Sequence, residues 1–326
     1  MTSFEPHQWV PGGVLQTVFG SLYSKNIKLP EMKPLWIKVS SDCQILLWEL
    51  INKNKTGPVV ILAHGMGGCS ESGYMRRITS KILRGNANAV YMMNHRGSGC
   101  SAKKHDRLWN GGSSDDFEQV VSFISTRHPE NELLLVGFSL SGNILLKYLG
   151  ENNAVPNNVK GAFAVNPPID LKVSSEVLSN NSACNIFNRY FMKRLHQQIE
   201  AINKNFPSSV LLKKRVKNIW EFDSIYTAPS AGFKNVEEYY SECSGRKFLK
   251  QIKIPTTILS SRDDPFIPPH VFEETLMSPA VNCLLVNGGG HMGYISKHKT
   301  PWNDYRWMDN TITQWIEGWM NPADLN

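Results

Sequence analysis

Leu133-Leu134-Leu135-Val136-Gly137-Phe138-Ser139-Leu140-Ser141-Gly142-Asn143 decides how this chain of 326 residues is read. Four apolar residues run into Gly-x-Ser, and Asn143-Ile144-Leu145-Leu146-Lys147-Tyr148-Leu149 continues as a helix pattern. A buried parallel strand ends this way when it delivers a serine onto a sharp strand-to-helix turn. The turn holds the Ser139 hydroxyl clear of the sheet, beside a helix N-terminus. There a backbone N–H and the helix dipole stabilise a developing negative charge. The plainer role for Ser139 is an ordinary helix N-cap.

Outward from that turn, apolar runs alternate with helical patterns, as expected of an α/β sheet. Strands are predicted over Leu35–Val39, Gln44–Leu50, Val59–Ala63, Ala89–Met93, Leu133–Val136, Val159–Val165, Thr256–Ser260 and Asn282–Val286. Several are continuously apolar, which fits strands covered on both faces. Tyr305, Met308, Ile312, Trp315, Ile316 and Trp319 recur at three- and four-residue spacings and predict a final amphipathic helix. Residues 170–250 contain no strand-like run. Phe187, Phe191, Leu195, Ile199 and Ile202 form a helical stripe there, followed by a basic stretch and by Tyr226–Phe233 with its Pro229 and Gly232. Because strands resume afterwards, this segment is read as a helical cap inserted into a single domain spanning 1–326, rather than as an independent domain.

A serine needs a base, and the base needs an orienting group. The run ending at Ser260 passes into Ser261-Arg262-Asp263-Asp264-Pro265-Phe266-Ile267-Pro268. The run ending at Val286 passes into Asn287-Gly288-Gly289-Gly290-His291-Met292-Gly293-Tyr294. The order Ser139, Asp, His291, each just beyond a strand's C-terminal end, is one known way to assemble a nucleophile. Asp264 is favoured as the orienting carboxylate over Asp263, which would then face solvent or make structural hydrogen bonds. Three glycines before His291 allow a tight turn that swings the imidazole back toward the serine. Two N–H donors must hold an oxyanion. Leu140 is expected to supply one, and His64-Gly65-Met66-Gly67-Gly68 the other, from Met66 or alternatively Gly65. His64 is read as structural. Arg96, in Asn94-His95-Arg96-Gly97-Ser98-Gly99, is read as an ion-pair partner of Asp115 or Asp116, with a substrate contact as the alternative. That segment is not a G-x-G-x-x-G fingerprint. His64, His95, His105 and Asp115-Asp116 lack metal-site spacing, so no metal and no cofactor are expected.

Composition narrows the classes. No apolar run approaches about 18 residues, so no membrane span is expected. Met1-Thr2-Ser3-Phe4-Glu5-Pro6 lacks the basic and apolar regions of a secretory signal. Cys43, Cys69, Cys100, Cys184, Cys243 and Cys283 are scattered, as expected of reduced thiols in a cytoplasmic protein. Between residues 186 and 220, eight basic residues (Arg189, Lys193, Arg194, Lys204, Lys213, Lys214, Arg215, Lys217) face one acid, Glu200. Their surplus equals the chain's net charge of +7. This is a solvated helical face or one attracted to anionic lipid or phosphate-bearing substrates, giving a weak peripheral membrane contact. No nucleic-acid module signature accompanies it.

Gly-Phe-Ser-Leu-Ser-Gly-Asn, His-Gly-Met-Gly-Gly, Asn-His-Arg-Gly, Asp-Asp-Pro-Phe and Gly-Gly-His-Met-Gly-Tyr together resemble the α/β-hydrolase superfamily. More closely the chain is similar to the YheT-like branch of esterases, which includes eukaryotic membrane-associated lipid hydrolases. The likeness covers nearly the whole chain, taking in Gly12-Gly13-Val14-Leu15-Gln16-Thr17 and the cap segment through Glu237-Glu238-Tyr239-Tyr240. It implies the α/β-hydrolase fold, a mostly parallel sheet flanked by helices. It matches Ser139, Asp264 and His291 to the family's triad, and Met66 and Leu140 to its oxyanion donors. One position departs: Ser141 stands where the family has glycine. The expected activity is metal-independent hydrolysis of a carboxylic ester, an acyl ester or lipid. The rivals are a ligand-binding protein of low turnover and an acyltransferase using the same serine.

Overall fold

Eight strands form one sheet in the order β1-β2-β4-β3-β5-β6-β7-β8. They are β1 (Lys33–Ser40), β2 (Cys43–Ile51), β3 (Val59–Ala63), β4 (Ala89–Met93), β5 (Leu133–Phe138), β6 (Val159–Val165), β7 (Thr256–Ser261) and β8 (Val281–Val286). β1 pairs antiparallel with β2, and β2 with β4; every later pairing is parallel. The computed structural model describes residues 3–22, 27–151, 154–207, 212 and 215–319. Each predicted strand coincides with an observed one to within two residues at either end.

The central strands are wholly apolar because both faces are covered. Val59, Ile61 and Ala63 of β3 enter one core with Leu133 and Leu135 of β5, against α3 (Ser114–Arg127) and α4 (Leu140–Gly150). Val60 and Leu62, with Leu134, Val136 and Phe138, enter the other core, against α2 (Gly73–Arg84) and α11 (Trp307–Gly318). Strand side chains alternate in direction, so each central strand feeds both cores. Met308, Ile312, Trp315 and Ile316 form the buried stripe of α11. Tyr305, read from sequence as the start of that stripe, instead precedes the helix and is exposed. Spacing alone does not mark a helix's first turn.

At the N-terminal side, α1 (Gly13–Leu22) lies against the loop after β8. Between β6 and β7 the described chain is helical: α5 (Leu171–Asn180), α6 (Asn185–Asn205), α7 (Ile219–Phe222), a π-helical turn (Asp223–Thr227), α8 (Ala228–Ser230) and α9 (Val236–Cys243). Phe187, Leu195, Ile199 and Ile202 of α6 are buried in the first core, while Arg189, Lys193, Arg194 and Lys204 are exposed. Arg215 and Lys217 are also exposed; Lys213 and Lys214 lie outside the described residues. The six cysteines are unbridged. No helix among the described residues is long and apolar enough to cross a membrane.

Candidate active site

The turn after β5 is tight because small residues stand where backbone meets backbone. A Cβ on Gly137 would fall 2.5 Å from the Ser141 carbonyl oxygen, so only glycine fits. Ser139 has φ 51° and ψ −120°, a conformation that costs an L-residue on the order of 1–3 kcal/mol. Its own N–H donates to Val165 O at 2.8 Å, which ties the strained turn to β6. Leu140 opens α4, so its N–H has no partner within the helix.

Ser141, the departure from the family pattern, is fully buried. Its hydroxyl donates to the His64 carbonyl at 2.5 Å and lies 2.7 Å from His95 Nε2. A hydrogen-bonding serine therefore fills the place where glycine gives only room. His64 Nδ1 meets Gly65 O at 2.9 Å and its Nε2 accepts the His95 N–H, a structural role. Burial pushes its imidazole down to about 4, and burial with the neighbouring His64 lowers His95 well below 6.5.

His291 arrives from the loop after β8. Gly288, Gly289 and Gly290 all have positive φ, and a Cβ on Gly290 would sit 2.2 Å from Gly13 O. Those glycines let the loop turn under α1, where the His291 N–H donates to Thr17 Oγ1 at 2.8 Å. His291 Nε2 then lies 2.8 Å from Ser139 Oγ, and Nδ1 lies 2.8 Å from Asp264 Oδ2. Asp264 is held in turn. Its Oδ1 accepts the N–H groups of Phe266 and Ile267, and its Oδ2 accepts Asn166 Nδ2 at 2.8 Å. The Phe266 ring covers the imidazole at 4.2 Å between centroids. Asp263 is not in contact with the imidazole; its Oδ1 accepts the Gly290 N–H.

The loop after β3 completes the site. Gly65 abuts the serine, and a Cβ there would lie 3.0 Å from Ser139 Cβ. Its N–H is already donated to Tyr74 OH at 2.9 Å, while Met66 and Gly67 of that loop line the cavity beside Leu140. Arg96 makes a two-pronged ion pair with Asp116, at 2.5 and 2.6 Å, and Asp115 is exposed. Neither touches the cavity that Ser139 and His291 line. Among the described residues no three His, Cys, Asp or Glu side chains gather to hold a metal ion.

Three supporting residues escaped the sequence reading: Asn166, Thr17 and Tyr74. Asn166 has φ 43° and directly follows β6, where Asn-Pro-Pro marks a strand end that turns abruptly. That signal was available. Thr17 and Tyr74 act only through tertiary contact and left none.

A serine, an imidazole and a carboxylate are joined in line at the C-terminal edge of the parallel sheet, the place where open α/β folds build their sites. The chain belongs to the alpha/beta hydrolase fold family, whose profile matches residues 58–298. It is 26% identical over 312 residues to the putative esterase YheT of Escherichia coli, covering 93% of this chain and 89% of that one. It is 29% identical over 254 residues to a monoacylglycerol lipase of Saccharomyces cerevisiae, covering 75% of this chain and 56% of the relative. With the yeast medium-chain fatty acid ethyl ester synthase/esterase 2 it spans 60% of the relative, so it covers less than two thirds of either yeast protein. Among solved structures, a soluble variant of the yeast monoglyceride lipase superposes with a TM-score of 0.60 at 15% identity, over 91% of this chain and 98% of that one.

Proposed function

We propose that the protein is a serine hydrolase of carboxylic esters. Ser139 attacks the ester carbonyl while its proton passes to His291 Nε2. Asp264 keeps the other ring proton on Nδ1 and stabilises the imidazolium that forms. The oxyanion takes hydrogen bonds from the N–H groups of Leu140 and Met66, each worth roughly 3 kcal/mol in comparable sites. Collapse expels the alcohol, which takes the proton from His291 and leaves an acyl-serine. Water then attacks the acyl carbon, gives its proton to His291, and frees Ser139 as that proton returns.

The observation that carries this reading is the unbroken line from Ser139 Oγ through His291 to Asp264, with 2.8 Å at both steps. The relatives named as lipase and esterase support the ester class. The mostly apolar cavity wall supports an acyl chain as its occupant. In the same reading, the helices between β6 and β7 form a cap over the cavity within a single domain. The exposed basic residues of α6, interleaved with exposed Ile186 and Tyr190, favour an encounter with anionic lipid surfaces. The test is turnover of p-nitrophenyl octanoate by the wild type and by Ser139→Ala. Wild-type activity that the variant loses supports the reading; equal rates in the two proteins overturn it.

A further inference from the structure

The cavity wall is largely apolar, so its few polar side chains carry information about what it holds. Five of them meet where α5, the π-helical turn and α9 converge: Ser174, Ser175, Asp223, Thr227 and Tyr240. All belong to the segment between β6 and β7 and line the cavity that also contains Ser139.

Asp223 is the unusual member. Thr227 Oγ1 donates to its Oδ1 at 2.6 Å, and Tyr240 OH donates to its Oδ2 at 2.9 Å. The phenol has one proton, so its 2.7 Å contact with Ser175 is donated by the serine. A carboxylate has about four acceptor positions, and the protein fills two. No cationic side chain pairs with Asp223 among the described residues, and desolvation pushes its carboxyl up to about 6. Nearby, Ser174 Oγ is buried without any hydrogen-bond partner. A residue serving only to staple α9 to the turn has no need of a charge. Retaining an unpaired, desolvated carboxylate carries a substantial cost. The π geometry is itself rare and recurs at functional sites. Here it sets Asp223 and Thr227 together on the cavity side of the chain.

We propose that this corner is a polar subsite of the hydrolase, and that Asp223 selects esters bearing a hydroxyl or amine group remote from the scissile carbonyl over plain alkyl esters. The proposal rests on the ester-hydrolase reading for its ligand class, with Asp223 as a specificity residue. Two acceptor positions on Asp223 and the idle Ser174 hydroxyl would pair with the donor group. A plain alkyl ester would leave those groups desolvated and unmatched, the mechanism by which polar pockets reject analogues that lack the polar group.

Binding to Ser139→Ala protein at pH 8, measured by titration calorimetry, separates this question from turnover. The probes are butyl, 4-hydroxybutyl and 4-aminobutyl octanoate, which vary the alcohol side, and the ethyl esters of octanoic, 8-hydroxyoctanoic and 8-aminooctanoic acid, which vary the acyl side. On one side or the other, the hydroxyl or amine probe should bind about tenfold or more tightly than its plain partner. In the double variant Ser139→Ala/Asp223→Asn, which removes the charge at nearly constant shape, that preference should fall at least threefold, and further for the amine than for the hydroxyl. Asp223→Leu should abolish it; if that variant does not fold, the Asn variant decides. Plain esters binding as well as both donor-bearing partners on both sides overturn the proposal. So does a preference unchanged by Asp223→Asn. If wild-type protein fails to cleave p-nitrophenyl octanoate, the hydrolase reading falls, while the binding preference still decides the role of Asp223.

Discussion

Two serine–histidine contacts stand side by side on one turn. Ser139 Oγ lies 2.8 Å from His291 Nε2, and Ser141 Oγ lies 2.7 Å from His95 Nε2. Distance does not separate them; the polarity of the proton does. His291 Nδ1 faces Asp264, so that nitrogen carries the ring proton and Nε2 is free to accept one from Ser139. The Ser141 proton is already committed to the His64 carbonyl, so His95 Nε2 must be the donor in its pair. His95 Nδ1 is then a buried acceptor with no partner, and its ring is stacked on Trp109 at 4.0 Å. Ser139 and His291 line the cavity, whereas Ser141 and His95 are sealed. What separates the proposed nucleophile from a structural hydroxyl here is the group behind the imidazole.

The comparison fails most visibly if the two histidines prove interchangeable. His291→Gln should lower kcat on p-nitrophenyl octanoate by on the order of 10⁴–10⁶, while His95→Gln should lower it less than about tenfold. Comparable losses from the two substitutions would break the distinction. Asp264→Asn should cost about 10⁴ in kcat by favouring the wrong imidazole tautomer while preserving the folded structure, as read by circular dichroism. An undiminished rate would remove the orienting role.

The sealed pair should announce itself through stability rather than rate. The folded-state pKa of His64 is depressed from 6.5 to about 4, and that of His95 also lies well below its usual value, both through burial. The folded protein thus binds fewer protons than the unfolded chain in this window. Their contribution is fully present above about pH 6.5 and is lost as the pH falls toward 4, roughly 3 kcal/mol for His64 alone. Urea midpoints measured from pH 7 to pH 4.5 should fall accordingly, and a flat profile would contradict the burial argument. The smallest effect is expected from Ser141→Gly. It removes the hydrogen bond to His64 O and about 1 kcal/mol of stability, with turnover within about threefold of wild type. A collapse of turnover would mean that the lower pair helps to shape the upper one.

The sheet was legible because burial on both faces forces β3, β4 and β5 to be apolar throughout, and such runs have few other interpretations. The order Ser139, Asp264, His291 was legible because each residue stands at a strand's C-terminal edge, a position that topology reserves for sites. The choice between Asp115 and Asp116 was not. It depends on which side of α3 faces Arg96, and the structure buries Asp116 and exposes Asp115. Asp223 was overlooked for a different reason. In sequence, Asp-Ser-Ile-Tyr-Thr looks like any polar stretch of a helix, and only the π-helical turn brings its polar atoms to a cavity. Side chains that act across long sequence separations leave their mark in space alone.

Thr17 and His291 are separated by 274 positions, yet one hydroxyl fixes the backbone that carries the imidazole. Two segments far apart in the chain therefore meet beside Ser139. A ribosome that has just finished the turn bearing Ser139 has produced an inert alcohol, and more than a hundred further residues must emerge before the loop bearing the imidazole can dock beneath α1. Under the proposed mechanism, reactivity at Ser139 is thus a late event of synthesis, because the imidazole that would activate it is made long after the hydroxyl.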